Sequence, residues 1–236
     1  MAIYVTSDLH GLLPEKLERL LQKVGFSDSD WLYILGDAID RENDGGTRLL
    51  LWCLAQPNVQ LLLGNHEAML LSCRFVLDEI TEESIAEFDA QKLDLLQNYT
   101  LNGGDCTLKA LRELNLRDRE TVQEIFDYLE DAPLYETVEA GGKDFVLVHG
   151  GLENFSPDKK LSEYTADELI WCWPNLDDEY FSDAITVFGH TPTAYFGAEY
   201  RGKILKTKTW IDVDVGVPYG NSPALLRLDD LEEFYL

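Results

Sequence analysis

The chain has 236 residues, 45% of them hydrophobic and 11% aromatic, enough for one sizeable core and too apolar for a globally disordered chain. Its 44 acidic and 19 basic residues leave a formal net charge of −25, a field that opposes non-specific binding to nucleic acid or to anionic lipid. No run approaches the roughly 18 apolar residues of a membrane helix, and the N-terminus lacks the basic and apolar regions of a secretory signal. In chain order, residues 3–6 form the first short apolar run and end in Ser7-Asp8-Leu9-His10-Gly11. Residues 13–24 follow with Leu13, Leu17, Leu20, Leu21 and Val24 on one helical face and Pro14 near the start. A second run, 31–35, ends in Gly36-Asp37 and leads to a helix over 47–54. A third, 59–63, ends in Gly64-Asn65-His66-Glu67 and leads to a helix over 68–78. Such runs suit buried strands, and their alternation with helices implies βαβ units and a largely parallel sheet, an α/β fold. Residues 79–132 are acidic and helix-rich without a strand, and read as a helical cap inserted into a single domain spanning 1–236. Strands return over 133–139, 143–148, 185–188, 209–213 and 224–228, with Gly141-Gly142 as a hairpin turn.

The chain has only four histidines, His10, His66, His149 and His190. Each lies at or just beyond the C-terminal end of an expected strand, with Gly beside it or two residues before it. In α/β sheets ligands bind outside those strand ends. A single histidine there is readily a core or surface residue; four in one context are hard to explain that way. Asp8 and His10, two apart, point to one side of an extended segment. With Asp37, Asn65, His149 and His190 they offer carboxylate, amide and imidazole donors without thiolate. That mix suits Mn, Fe or Zn and excludes a structural Cys-based zinc site. With Asp37 as a bridge, six such ligands can hold two ions about 3.5–4 Å apart. Cys53, Cys73, Cys106 and Cys172 form no C-x-x-C pair and read as reduced residues of a cytoplasmic protein.

Ser7-Asp8-Leu9-His10-Gly11, Gly36-Asp37-Ala38-Ile39-Asp40-Arg41, Gly64-Asn65-His66-Glu67, His149-Gly150-Gly151 and Gly189-His190-Thr191-Pro192 resemble the signatures of calcineurin-like metallophosphoesterases. Their order and spacing resemble the PPP-type branch, the serine/threonine protein phosphatases with their small bacterial and phage members. Asn102-Gly103-Gly104 is similar to a segment of those small members, and Ile211-Asp212 through Leu226, with Tyr219-Gly220, to their closing strand pair. The resemblance implies a four-layer α/β/β/α sandwich with two mixed sheets and a helical insertion. It implies two divalent or trivalent transition-metal ions, Mn foremost and Fe or Zn as alternatives. Asp8, His10 and Asp37 would hold the first ion, and Asp37, Asn65, His149 and His190 the second. His66 would be the general acid, Asp40 would orient and charge it, and Arg41 would hold the phosphate. In that scheme a metal-activated hydroxide attacks, and an acid opposite it eases departure of the leaving oxygen, typically by about 10²–10⁴-fold. A carboxylate beside His66 keeps it protonated, and an Arg fork matches two phosphate oxygens. Glu67 reads as a carboxylate favoured at a helix N-terminus rather than as a catalytic group.

Two departures stand out. The Gly that commonly follows Asp-Arg is replaced, giving Asp40-Arg41-Glu42-Asn43, an extra carboxylate beside the phosphate. In Glu168-Leu169-Ile170-Trp171-Cys172-Trp173-Pro174, Trp173 stands where a second phosphate-binding Arg is expected, leaving Arg201 or Arg48 as candidates to replace it. The first-ranked function is hydrolysis of phosphoserine, phosphothreonine or small phosphomonoesters. The alternatives are a symmetrical dinucleoside polyphosphate hydrolase and a degenerate binding protein for a phosphorylated partner.

Overall fold

The computed structural model describes residues 1–82 and 84–236. The first apolar run forms β1 (Ile3–Thr6), buried along its whole length. It is followed by α1 (Pro14–Val24), β2 (Trp31–Ile34), α2 (Thr47–Leu54), β3 (Val59–Leu61) and α3 (Asn65–Ser72). Pro14 opens α1, Leu17, Leu20 and Leu21 make its buried stripe, and Gly25 in the left-handed region closes it. The helical stretch contains α4 (Glu82–Ala86), α5 (Ala90–Leu101), α6 (Asp105–Asn115) and α7 (Arg119–Glu130). The chain then runs through β4 (Tyr135–Ala140), β5 (Lys143–Val148), α8 (Ala166–Ile170), β6 (Ala184–Phe188), β7 (Leu205–Lys206), β8 (Trp210–Asp212), β9 (Ala224–Arg227) and β10 (Glu232–Tyr235).

Two mixed five-stranded sheets result, in the orders β10-β9-β1-β2-β3 and β4-β5-β6-β8-β7. In the first, β1, β2 and β3 are parallel and β9 and β10 antiparallel. In the second, β5, β6 and β8 are parallel, and β4 and β7 are antiparallel edges. Strand alternation and register assign the faces: Phe145, Leu147, Val187 and Ile211 join Val5 and Leu226 in one buried cluster between the sheets, while Leu32, paired with Tyr4, faces the helices. Val148, Phe188 and Trp210 face the other way, onto Leu169, Ile170 and Tyr180. Outside the first sheet lie α1–α3 and α5–α7; outside the second the helical layer shrinks to α8 and loops. This is the expected four-layer α/β/β/α sandwich.

The helices between α3 and β4 share the main core: Tyr99, Leu108, Leu111, Val122, Ile125, Phe126 and Leu129 are all buried in it. Several boundaries differ from the sequence reading, the end of the third helix most, at Ser72 rather than 78, and two strands lie outside that reading. The third helix begins at Asn65, three residues early, because Gly64 is its N-cap and the Glu67 side chain accepts the Gly64 N–H. Strands β7 and β10 were missed, since a two-residue strand and a charged edge strand carry no apolar alternation. All four cysteines are free, three of them buried. Among the described residues no helix is long and apolar enough to cross a membrane.

Candidate active site

The loops leaving β1, β2, β3, β5 and β6 meet at one end of the two sheets, and each carries an expected site residue. The loops are cross-tied through their backbones. Asp8 N–H donates to Gly36 O (3.2 Å), His10 N–H to Asp37 O (2.9 Å) and Gly11 N–H to Ala38 O (2.9 Å). Glu67 lies in the first turn of α3, as expected, and does more than favour the helix. Its buried carboxylate accepts the N–H groups of Asp37 (2.8 Å), Ala38 (2.9 Å) and Gly64 (3.1 Å), clamping the β2 loop to the β3 loop. Gly36 lies where a Cβ would come within 2.6 Å of Gly64 Cα and of His149 Nδ1, so no larger residue fits between these loops. Asp8, His10, Asp37 and His190 all have positive φ, a conformation that non-glycine residues adopt at a cost.

All six expected donors, Asp8, His10, Asp37, Asn65, His149 and His190, are brought together. Asp37 is central: its carboxylate oxygens lie 3.7 Å from His10 Nε2 and 3.4 Å from His149 Nε2. Two donor groups have ligand atoms within 4.8 Å of one another, His10–Asp37–His66 and Asp37–His149–His190, and Asp37 belongs to both. Asn65 Oδ1 lies 2.9 Å from His149 Nε2. Asp8 is set back slightly. Its Oδ1 is 3.8 Å from His10 Nε2, while Oδ2 accepts Ser7 Oγ–H (2.5 Å) and His190 N–H (2.8 Å).

The donor chemistry fits a pair of cations. His149 Nδ1 donates to Leu35 O at 2.6 Å and His10 Nδ1 to Ile39 O at 3.0 Å. Each bond fixes the tautomer that leaves an Nε2 lone pair facing carboxylates. His190 Nε2 is buried without a hydrogen-bond partner. Burial, with Arg41 and His66 nearby, holds the His10 pKa well below the ordinary value. Burial, then His149 and His66, pulls that of His190 down to about 2. Burial raises that of Asp37, with Asp8 and Glu67 adding and His66 opposing. Bare lone pairs turned on a crowded buried carboxylate repel one another, and a cation among them reverses that. These His/Asp clusters are consistent with a dinuclear metal site.

His66, on the first turn of α3, stands apart from the other histidines. Its Nδ1 donates to Asp40 Oδ2 at 2.6 Å, and Asp40 is fully buried. Burial alone would depress the His66 pKa, but the charge of Asp37 and the hydrogen bond and charge of Asp40 outweigh it, so it is raised. Its Nε2 accepts from Arg41 Nη2 at 3.2 Å. Asp40 has two further partners that the sequence reading missed: Tyr99 Oη donates to its Oδ1 at 2.6 Å, and Thr107 Oγ1 donates to the same oxygen. The only sequence pointer was the neighbouring Asn102-Gly103-Gly104. Gly103 O accepts the Arg41 N–H at 3.0 Å, and a Cβ on Gly104 would strike the Tyr99 ring at 2.5 Å.

Of the suggested replacement clamps, Arg48 is turned away and pairs with Glu15 on α1. Trp173 edges onto His190, with ring centroids 5.5 Å apart. Tyr219 is exposed.

A family model described as calcineurin-like phosphoesterase matches residues 1–215. A protein of Acidovorax sp. (strain JS42), named bis(5'-nucleosyl)-tetraphosphatase, symmetrical, is 30% identical over 171 residues, covering 72% of this chain and 48% of that protein. The chain thus spans about half the length of that curated relative. A solved structure described as a candidate diadenosine tetraphosphatase superposes with a TM-score of 0.60 at 18% identity, covering 100% of this chain and 92% of its own. A protein serine/threonine phosphatase from Saccharomyces cerevisiae does so with a TM-score of 0.61 at 15% identity, covering 97% and 72%. At these identities the two structures speak for the fold, and equally so.

Proposed function

The chain belongs to the calcineurin-like phosphoesterase family, a metal-dependent phosphoesterase, and from that premise we propose that it cleaves dinucleoside tetraphosphates symmetrically. One water is consumed, one P–O–P bridge breaks, and two nucleoside diphosphates leave. The sequence reading ranked phosphomonoesters first. The name carried by the Acidovorax relative, and Trp173 in place of a second phosphate clamp, support the reverse order.

The observation that carries the hydrolytic reading is the buried His66–Asp40 pair set beside two donor groups that share Asp37. We assign Asp8, His10 and Asp37 to one cation and Asp37, Asn65, His149 and His190 to the other. A bound pair supplies Lewis-acid polarisation of the phosphoryl oxygens and draws the pKa of water toward neutrality. Asp40 holds the His66 Nδ1 proton, which turns Nε2 toward the site. His66 also approaches Asp37 Oδ2, at 3.8 Å, and could compete as a ligand. The Asp40 bond and the raised pKa favour a proton on Nε2 instead, and so the role of acid to the leaving oxygen. Arg41 meets neutral His66 as a donor; once His66 is protonated, like charge turns the guanidinium toward non-bridging phosphate oxygens.

The test is chromatography of the products of diadenosine tetraphosphate with Mn-loaded protein, with and without EDTA. The expected result is ADP alone, abolished by EDTA. Release of orthophosphate from a phosphopeptide faster than release of ADP would restore the phosphoprotein reading. Substrate binding without turnover at full metal loading would leave only a binding protein.

A further inference from the structure

The side of the site beyond His190 is built of exposed aromatic rings. Trp171 and Trp173 follow α8, and Tyr195 lies in the short turn Thr193–Tyr195 after β6. Trp173 is 51% exposed and Tyr195 63%, well above what packing aromatics leave to water, yet the two hold a defined geometry. The Trp173 ring meets His190 at 5.5 Å and 78°, and Tyr195 at 5.1 Å and 81°. Trp171 meets the same imidazole at 5.9 Å and 90°. In these edge-to-face contacts one ring's edge meets another's face, which fixes the rings against one another while Trp173 and Tyr195 keep much of their surface exposed. They adjoin a donor that we assign to the second cation, so an occupant of these faces lies beside a phosphate held there.

The occupant must be flat, and it must not depend on charge. The shelf has aromatic faces where a phosphate clamp was expected, and the chain carries a net charge of −25, which repels further anionic groups away from the cations. A nucleobase meets these demands: it is uncharged, it has a π-face, and in a nucleotide it is carried by the phosphate chain itself. We propose that Trp173 and Tyr195 form the stacking shelf for one base of the substrate, with the larger purines favoured over pyrimidines. This rests on the dinucleoside reading above and gives it a residue-level origin for specificity: the ring that removes a phosphate clamp supplies a base platform.

The test separates the base from the phosphates by equilibrium binding to the Mn-loaded protein. Adenosine 5′-(α,β-methylene)diphosphate and methylenediphosphonate carry the same non-hydrolysable bridge, and only the first carries a base. Stacking on an aromatic side chain predicts that the nucleotide binds roughly 5- to 150-fold more tightly than the base-free analogue. In Trp173→Ala that ratio falls toward one, Trp173→Phe recovers most of it, and Tyr195→Ala lowers it independently. The shelf is disproved by a wild-type ratio within about twofold of unity, or by an unchanged ratio in both alanine variants. Because this readout needs no turnover, it still decides the shelf if product chromatography shows that diadenosine tetraphosphate is not hydrolysed. That second outcome would overturn the activity and not the stacking.

Discussion

Replacing Asp40 by Asn keeps the side chain's shape and removes its charge, isolating what the carboxylate does for His66. Asp40 is fully buried, and three donors converge on its two oxygens: His66 Nδ1 at 2.6 Å, Tyr99 Oη at 2.6 Å, and Thr107 Oγ1. An amide therefore has one group too many. Its NH₂ either confronts the two hydroxyls or turns on His66 and forces the proton from Nδ1. Either way the imidazolium loses the neighbour that offsets its burial, and the acid is weakened. The expected loss is about 10²–10⁴-fold in kcat, the range of general acid catalysis, and it scales with how badly the leaving group needs a proton. Phenyl phosphate, with its basic leaving group, should therefore suffer much more than p-nitrophenyl phosphate. The assay is steady-state kinetics on both reporters with metal content measured in parallel. Equal losses on both substrates with metal retained, or near-full activity on phenyl phosphate, would refute the assignment of His66 as acid and of Asp40 as its positioning residue.

Chelation should remove two equivalents of metal per chain and abolish turnover; because the cations bind the folded state, it should also lower Tm, with a loss of about 2.7 kcal/mol of stability for each cation that was present at 100 times its Kd. His149→Ala, deleting a donor from the group Asp37–His149–His190, should leave about one equivalent by elemental analysis. Glu67→Gln presents an NH₂ to three backbone N–H groups that now share a carboxylate, and should cost about 2–3 kcal/mol in urea denaturation. Glu168 is held down to about 2, first by the Lys159 ammonium and then by the Thr165 N–H. Its folded value lies below its ordinary value of 4.5, so its contribution is present above 4.5 and lost as pH falls toward about 2. The Tm gap between wild type and Glu168→Gln should close over that window, and a gap independent of pH would contradict the linkage.

The histidine and carboxylate donors were legible because each follows a strand, and His10, Asp37, His149 and His190 sit beside glycine, a local pattern that a linear reading can find. The start of α3 was only partly so: Glu67 reads as a carboxylate at a helix N-terminus, but Asn65 and His66 read as loop, and only the closing of Glu67 onto Gly64 brings them into a first helical turn. Tyr99 and Thr107 were out of reach for a different reason. They reach Asp40 from 59 and 67 residues away, from helices whose stripes mark packing, and no local spacing distinguishes a hydroxyl aimed at a buried carboxylate from one aimed at water. The segment 79–132, read as a cap, thus supplies two of the three partners of Asp40.

The same long-range ties explain how the site can exist. Among the described residues, nine non-glycines have positive φ, and seven of them are Asp8, His10, Asp37, Asp40, Arg41, Asn43 and His190. That backbone costs an ordinary residue roughly 1–2 kcal/mol, and Asp8, Asp37, Asp40 and Asn43 are of the types that tolerate it best. The compensation lies across the loops, in Asp8 N–H on Gly36 O, His10 N–H on Asp37 O, Asn43 Nδ2 on Gly11 O and His190 N–H on Asp8 Oδ2. Every one of these bonds joins a strained residue to a different strand's loop, so no loop can hold its shape alone. The donors point inward because the loops are bent against their own preference, and the loops stay bent because they are bonded to one another. Geometry of that kind is a property of the closed pair of sheets, which is why the residue types can be read from the chain while their convergence cannot.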